Sequence, residues 1–407
     1  MSTEPALAKP SLRVMVPTFI GGTFGNGLFD ALHFLIPFWA AKMGMPPAEI
    51  GLIVGARYAL PCLFSIHGGV LIDRIGARRM CFYFGVPTLL LAPLYPVMPV
   101  FTALLVLQLL LGLSTTLGWI GVQTMAARIT RGDTTLLGRF AFVYQLGAWT
   151  APILIGLMFD VFGAWGAFGT ISVWTGCYLL FIYLIPAEEI QESGPRPKLH
   201  FNDLIPKLGE YKEAFALLAI PAVALSIAVT VVRHTTTPIQ GSFYVVYLEG
   251  LDMTGTTIGL ICAVVEVLNG VAPLASGKFE RIIPAHWAVV ILSIGAIFMI
   301  SITPLLGGVL AFLIIAQVLR GICQGLAQPL LFGMIARSVP LELQGRSIGL
   351  RTTANRIGCT LIPIIMGVLV DWLGIEMGFY VTGAGLIFLM LVIGYFVRRS
   401  KTFNPKA

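Results

Sequence analysis

The chain has 407 residues, 57% of them hydrophobic and 11% charged, with a mean hydropathy of +0.90 and a formal net charge of +7. Soluble domains carry about 25% charged residues, so this composition excludes a soluble enzyme and a disordered chain and leaves an integral membrane protein. In that setting the basic excess marks a cytoplasmic face rather than a nucleic-acid site.

Apolar runs broken at charges, prolines and glycines predict twelve spans. The first six lie near 15–41, 48–71, 80–97, 100–127, 138–159 and 165–186. The second six lie near 214–248, 257–276, 286–306, 308–336, 347–370 and 377–397. Runs of this length in lipid are helices, because every backbone group needs a partner within the segment. The opening run follows Lys9 and Arg13, but it is too long for a cleaved signal and no small-x-small site follows it. Lys and Arg gather before span one and after spans two, four, six, eight, ten and twelve, which puts both termini in the cytoplasm. The polar stretch 187–213 divides the chain into a bundle over 1–186 and a second over 214–407. Within it, Phe201-Asn-Asp-Leu-Ile-Pro-Lys-Leu reads as a segment lying on the membrane surface. Cys62, Cys81, Cys177, Cys262, Cys323 and Cys359 all sit in apolar stretches without a CxxC pair, and read as buried free thiols.

The halves repeat. At a constant offset of 211, Gly147, Pro152, Gly156, Asp160 and Gly163 match Gly358, Pro363, Gly367, Asp371 and Gly374. Met125-Ala-Ala-Arg128 likewise matches Met334-Ile-Ala-Arg337, and Ile50-Gly51-Leu52 matches Ile258-Gly259-Leu260. Two repeated six-helix halves are a transporter architecture, with the cargo site between them.

Between spans two and three, Gly69-Val-Leu-Ile-Asp73-Arg74-Ile-Gly76-Ala-Arg78-Arg79 resembles the G-x-x-x-D-R-x-G-R-R loop of the major facilitator superfamily. A degenerate copy, Gly277-Lys-Phe-Glu280-Arg281, follows span eight. Span five, with Gly138, Gly147, Ala151-Pro152 and Gly156, is similar to the G-x8-G-x3-G-P-x2-G-G pattern of the drug:proton antiporter branch, with Ala151 and Ile155 in place of glycines. The resemblance implies a monomeric carrier of two pseudo-symmetric bundles working by alternating access. It also implies that Asp73 gates the cytoplasmic side by meeting the start of span eleven, near Gly345–Ser347. Gly69, Arg74, Gly76, Arg78, Gly147, Pro152 and Gly156 complete the gating set.

Ionisable residues inside the spans are the functional candidates. Asp30 and His33 share a face of span one, and Arg57 lies in span two. Arg233 and His234 lie in span seven, Glu266 in span eight, Arg320 in span ten, Arg351 and Arg356 in span eleven. Five such arginines would cost about 12–17 kcal/mol on insertion scales, so they should face paired charges or water inside the bundle. Spans three, six, nine and twelve, outer helices in the family that the chain resembles, carry none. Arginine grips carboxylate, phosphate or sulfonate with a two-pronged fork and keeps its proton, so the cargo predicted is a small organic anion or amphipath. The alternative for each arginine is a structural bridge to Asp30 or Glu266, and Arg351 is close enough to the cytoplasmic end to snorkel. Asp30 and Glu266 are the proton-coupling candidates, since a carboxyl moved between a dry site and an arginine changes its proton affinity. His33, Tyr144, His234 and Asn355 join Arg57, Arg233, Arg320 and Arg356 as the expected cargo contacts, with Gln145, Trp149 and Asn269 as orienting groups; the alternative for the histidines is a hydrogen-bonded core position, and for the tyrosine, tryptophan and amides an interhelical hydrogen bond. Pro221 and Pro238 flank the polar run 233–237 and predict a break in span seven near Thr235–Pro238.

No G-x-S-x-G, H-E-x-x-H, P-loop or metal-ligand spacing is present, so neither cofactor nor metal is expected and a membrane enzyme is disfavoured. Three functions stay open: a proton-coupled anion carrier, a multidrug/proton antiporter for neutral or cationic compounds, and a non-transporting receptor or assembly factor on the same scaffold. Compact loops point to a bacterial inner membrane.

Overall fold

A computed structural model describes residues 11–130, 133–186, 216–338 and 341–399, and within these all side chains except those of 65–70, 73–74, 134, 217, 222, 332, 335–338 and 341–349. Every regular element among the described residues is helical. In chain order these are α1 (Leu12–Lys42), α2 (Pro47–Ile75), α3 (Ala77–Leu91), α4 (Leu94–Val97), α5 (Phe101–Ile129) and α6 (Thr134–Tyr183). After the connecting stretch come α7 (Pro221–His234), α8 (Thr236–Ile239), α9 (Val245–Glu249), α10 (Gly255–Val271) and α11 (Ser276–Ile282). The chain closes with α12 (Ala285–Ser301), α13 (Leu310–Ser338), α14 (Leu341–Leu373) and α15 (Ile375–Arg399). The linker 187–213, with its expected surface segment, lies outside the described residues.

Among the described residues, eight helical stretches are long and apolar enough to cross a membrane. One, Thr135–Tyr183, has 49 residues, about 74 Å at 1.5 Å per residue, more than twice a hydrocarbon core of about 30 Å. It divides at Gly163, whose φ of 65° turns the chain back, and Gly374 with φ 83° makes the corresponding turn between α14 and α15. Both positions require backbone in a region that only glycine enters freely, which accounts for one pair of the internal repeat.

Large apolar side chains face outward while several charged ones are buried within the apolar core. Leu274 is 87% exposed, Phe162 66% and Phe388 65%, whereas Arg57, Arg233 and Arg320 are buried. Water would not tolerate that outer surface, and lipid does. The helices of each half pack mainly on their own: α1 on α6 and α2 and α3 on α5 in the first, α12 and α10 on α13 and α7 on α14 in the second. Two long seams join the halves, α2 with α14 and α6 with α10. All six cysteines are free, and Cys81, Cys262 and Cys359 are buried.

The predicted break in span seven is present in a particular form. Thr235 interrupts the helix, and Gln240–Tyr244 is wound as a π-helix before α9 begins. Pro238 has no N–H to give His234, and the freed His234 carbonyl accepts from Cys359 Sγ at 3.8 Å. Dihedral angles stay helical through the break (Gln240 φ −62°, ψ −47°), so the segment is rewound rather than unwound. Such π-turns are frequent at functional sites.

Candidate functional site

The intramembrane charges meet where the halves face each other. On the first-half side, His33 Nδ1 pairs with Tyr58 Oη at 3.1 Å, and His33 Nε2 reaches the Thr237 carbonyl at 3.0 Å. The ring of His33 lies so close to α8 and the π-turn that a Cβ on Gly241 would overlap it. Gly241 is therefore a site residue that the sequence reading missed, since a glycine in an apolar span carries no chemical signal.

Arg57 donates through Nη2 to the Phe29 carbonyl at 3.0 Å and stacks 4.6 Å from the Phe29 ring centroid. Arg356, from the second half, lies 5.8 Å from that same ring and 5.6 Å from the Tyr58 ring. Asp30, the residue after Phe29 on α1, is half-buried. Glu266 accepts from Gln145 Nε2 at 3.2 Å and from Asn269 Nδ2 at 3.4 Å through the same Oε2 atom. Two of the amides named as orienting groups thus bond a carboxylate, Gln145 across the α6–α10 seam.

The other arginines serve the rewound segment. Arg320 donates to the side chains of Gln240 and Gln317 (3.2 Å for the latter) and to the Thr236 carbonyl at 3.0 Å. Arg233 donates to the Gln328 side chain and to the Gln324 carbonyl at 3.3 Å, with His234 Nε2 3.1 Å away. Gln324 returns a bond to Thr236 Oγ1 at 2.9 Å. These glutamines were not singled out in the sequence, although Arg320-Gly-Ile-Cys-Gln324 places Arg and Gln one turn apart on α13. Tyr144 packs edge-on to Trp119 and Phe140 within the first half, and Asn355 faces Cys359 one turn along α14. Among the described residues, the ion pair within 4 Å is Lys42–Glu249, at the ends of α1 and α9. The alternative reading, a bridge from an arginine to Asp30 or Glu266, therefore finds no ion pair within 4 Å among the described residues.

The gating candidates divide. Pro152 and Gly156 lie on the α6–α10 seam: a Cβ on Gly259 would stand 2.5 Å from the Pro152 carbonyl oxygen, and one on Gly156 would overlap that of Gly255. Gly147 packs instead on the Thr23 carbonyl of α1, inside the first half. Gly76 ends α2 with φ 94°. Arg78 donates to the carbonyls of Ile182 (3.2 Å) and Tyr183 (2.8 Å), closing the end of α6 in its own half. The side chains of Gly69, Asp73 and Arg74, and those at the start of span eleven, lie outside what is described.

The profile of the Major Facilitator Superfamily matches residues 18–236 and again 225–407. The chain belongs to this superfamily. A major facilitator-type transporter of Methanocaldococcus jannaschii, itself uncharacterised, is 28% identical over 163 residues, 39% of this chain and 41% of that one. The matched stretch is thus less than half of the relative's length. Among solved structures, the nucleoside transporter NupG superposes with a TM-score of 0.77 at 12% identity, over 95% of this chain and 99% of that one. A POT family transporter in complex with 5-aminolevulinic acid gives 0.76 at 14% identity, over 97% and 98%. A peptide transporter POT in complex with sulfate gives 0.75 at 13%, over 98% and 96%. At such identities the likeness establishes the fold. The chain is thus an integral membrane protein of this superfamily, and its polar centre lies between the two halves.

Proposed function

We propose that the protein carries a small organic anion or amphipathic solute through this polar centre by alternating access, coupled to protons, in a bacterial inner membrane with both termini cytoplasmic. The observation that carries the reading is the character of the arginine contacts. Arg57, Arg233, Arg320 and Arg356 are held by carbonyls, amide side chains and aromatic rings, and no described carboxylate comes within 4 Å of any of them. Neutral partners orient a guanidinium without cancelling its charge. The centre therefore keeps a positive excess that an anion would neutralise and a cation would meet as repulsion.

Asp30 and Glu266 are the proton carriers in this reading. They stand in opposite halves, Asp30 on α1 and Glu266 on α10. The membrane potential opposes entry of an anion by about 2.3 kcal/mol per charge per 100 mV, so uptake would need more protons than negative charges to gain from it. Export by exchange has no such requirement, and the glycine and proline pattern of α6 favours it.

The test is transport by the purified protein in liposomes loaded with a pH-sensitive dye. Benzoate and phenylphosphonate should move protons, benzylammonium should not, and Glu266→Gln should abolish the proton signal. A signal from benzylammonium or neutral drugs alone would replace this reading with the multidrug antiporter. If neutral replacements of Asp30, Glu266 and the arginines left a defined biological role intact without flux, the scaffold would be a receptor.

A further inference from the structure

The buried arginines are of two kinds. The terminal nitrogens of Arg233 and Arg320 are committed to Gln324, Gln328, Gln240, Gln317 and Thr236, all within the second half. Their work is to hold the rewound segment of span seven. Arg57 and Arg356 differ. Arg57 is 2% exposed, gives one bond to the Phe29 carbonyl, and leaves Nε and Nη1 buried without a hydrogen-bond partner. Nε is buried without a partner in Arg356 as it is in Arg233 and Arg320, so the difference lies at the outer end of the fork, where Arg356 meets the rings of Phe29 and Tyr58 rather than glutamine side chains and carbonyls. One guanidinium comes from the first half and the other from the second, and both stand over the Phe29 ring. Asp30, the next residue along α1, forms an ion pair with neither.

Two like charges drawn to one phenyl ring repel each other, and buried N–H groups of a charged side chain are costly to leave unbonded. One ligand relieves both conditions: a planar or tetrahedral oxyanion whose oxygens accept from both forks. We infer that Arg57 and Arg356 form a two-armed clamp for the carboxylate, phosphonate or sulfonate group of the cargo. The assignment rests on the anion-carrier reading and narrows it, because it separates two recognising arginines from two that serve the fold. It also gives cargo a mechanical role. An anion held by one arm from each half joins those halves at mid-membrane, so an occupied centre resists separation that an empty one does not.

The experiment measures binding, with the full chain in detergent and benzoate, phenylphosphonate and benzylammonium as probes, by ligand-dependent thermal stabilisation. Arg57→Gln and Arg356→Gln should each raise the apparent Kd for benzoate and phenylphosphonate at least tenfold. Both should stay monodisperse on size exclusion. Arg57→Lys keeps the charge and loses the fork, so it should fall between wild type and Arg57→Gln, and it carries the test if the glutamine variant does not fold. Arg399→Gln removes a positive charge at the end of α15 and should leave both Kd values unchanged. Anion binding that survives both glutamine variants overturns the clamp while the anion-carrier reading stands. A wild-type protein that binds benzylammonium and neither anion overturns both together.

Discussion

The seams that join the halves are copies of one another, and they are not equally strong. At the end of the molecule away from the termini, Asp160 of α6 accepts from Gly255 N (2.8 Å), Thr256 N (2.8 Å) and Thr256 Oγ1 (2.5 Å) at the start of α10. Its repeat partner, Asp371 of α14, accepts among the described residues from Ala48 N alone, at 3.2 Å, at the start of α2. Each carboxylate faces the positive end of a helix from the other half. The difference follows from two residues. Where α10 begins Gly255-Thr256, α2 begins Pro47-Ala48. Proline has no N–H to give and alanine has no hydroxyl, so one bond is left of three. Behind both carboxylates the backbones nearly touch. A Cβ on Gly51 would overlap the Pro363 carbonyl oxygen, and one on Gly259 would stand 2.5 Å from that of Pro152. The geometry of the crossing is thus shared, and the electrostatic fastening is concentrated in one seam. A carrier that must open this end gains from that asymmetry a stiff side and a compliant side.

The largest effect should come from breaking the shared geometry. Gly156→Val drives a side chain into the Gly255 carbonyl oxygen, and a backbone cannot yield as a flexible side chain does. Transport should fall by an order of magnitude or more, and an impermeant maleimide should label a cysteine introduced at Thr254 more than about a hundredfold faster than in wild type. Retained transport and unchanged labelling would mean that the seam does not close as described.

The fastening comes next. Asp160→Ala removes three acceptor contacts and Asp371→Ala removes one. At about 1 kcal/mol net per bond, labelling at position 254 should rise roughly a hundredfold for Asp160→Ala, and at most tenfold at an equivalent position for Asp371→Ala. Equal effects would sink the asymmetry. It can also be sharpened in the other direction. Ala48→Thr restores to α2 the hydroxyl that Thr256 supplies in α10, and should slow labelling at the α2–α14 seam about fivefold, for one added bond.

These seams show what was legible in the sequence and what was not. The offset of 211 was visible as five matched Gly, Pro and Asp positions, and the architecture follows from it. Four of those pairs are now accounted for by contact: Gly163 and Gly374 as left-handed turns, Pro152 and Pro363 as the carbonyls met by Gly259 and Gly51, Gly156 and Gly367 as close approaches, Asp160 and Asp371 as helix caps. The aspartates went unrecognised because in sequence they were charges in loops, and a cap exists only once another helix points at it. At mid-membrane the charged residues were legible by the cost of burying them. Their partners were not. A glutamine in a span signals little, and nothing in the spacing tells that Gln145 and Asn269 converge on Glu266 while Gln240 and Gln317 converge on Arg320. Phe29 was hidden most completely, since its role lies in its ring being shared by arginines from two halves.

The smallest effect belongs to the remaining contact at the same end. Lys42, closing α1, pairs with Glu249, closing α9, at 3.0 Å, and the two side chains are 39% and 19% exposed. Unlike the aspartate caps, this link joins two side chains, so both must give up rotamer freedom to make it. Water and salt screen it as well, and pairs of this kind contribute about 0.2–1 kcal/mol. Lys42→Ala should therefore raise labelling at position 254 by no more than about fivefold. The effect should vanish in high salt, where that of Asp160→Ala, seated against a helix end with three directed bonds, persists in part. A Lys42→Ala effect as large and as salt-resistant as that of Asp160→Ala would move the fastening of this end from the helix caps to the ion pair. The unequal seams would then be a difference in packing without consequence for opening.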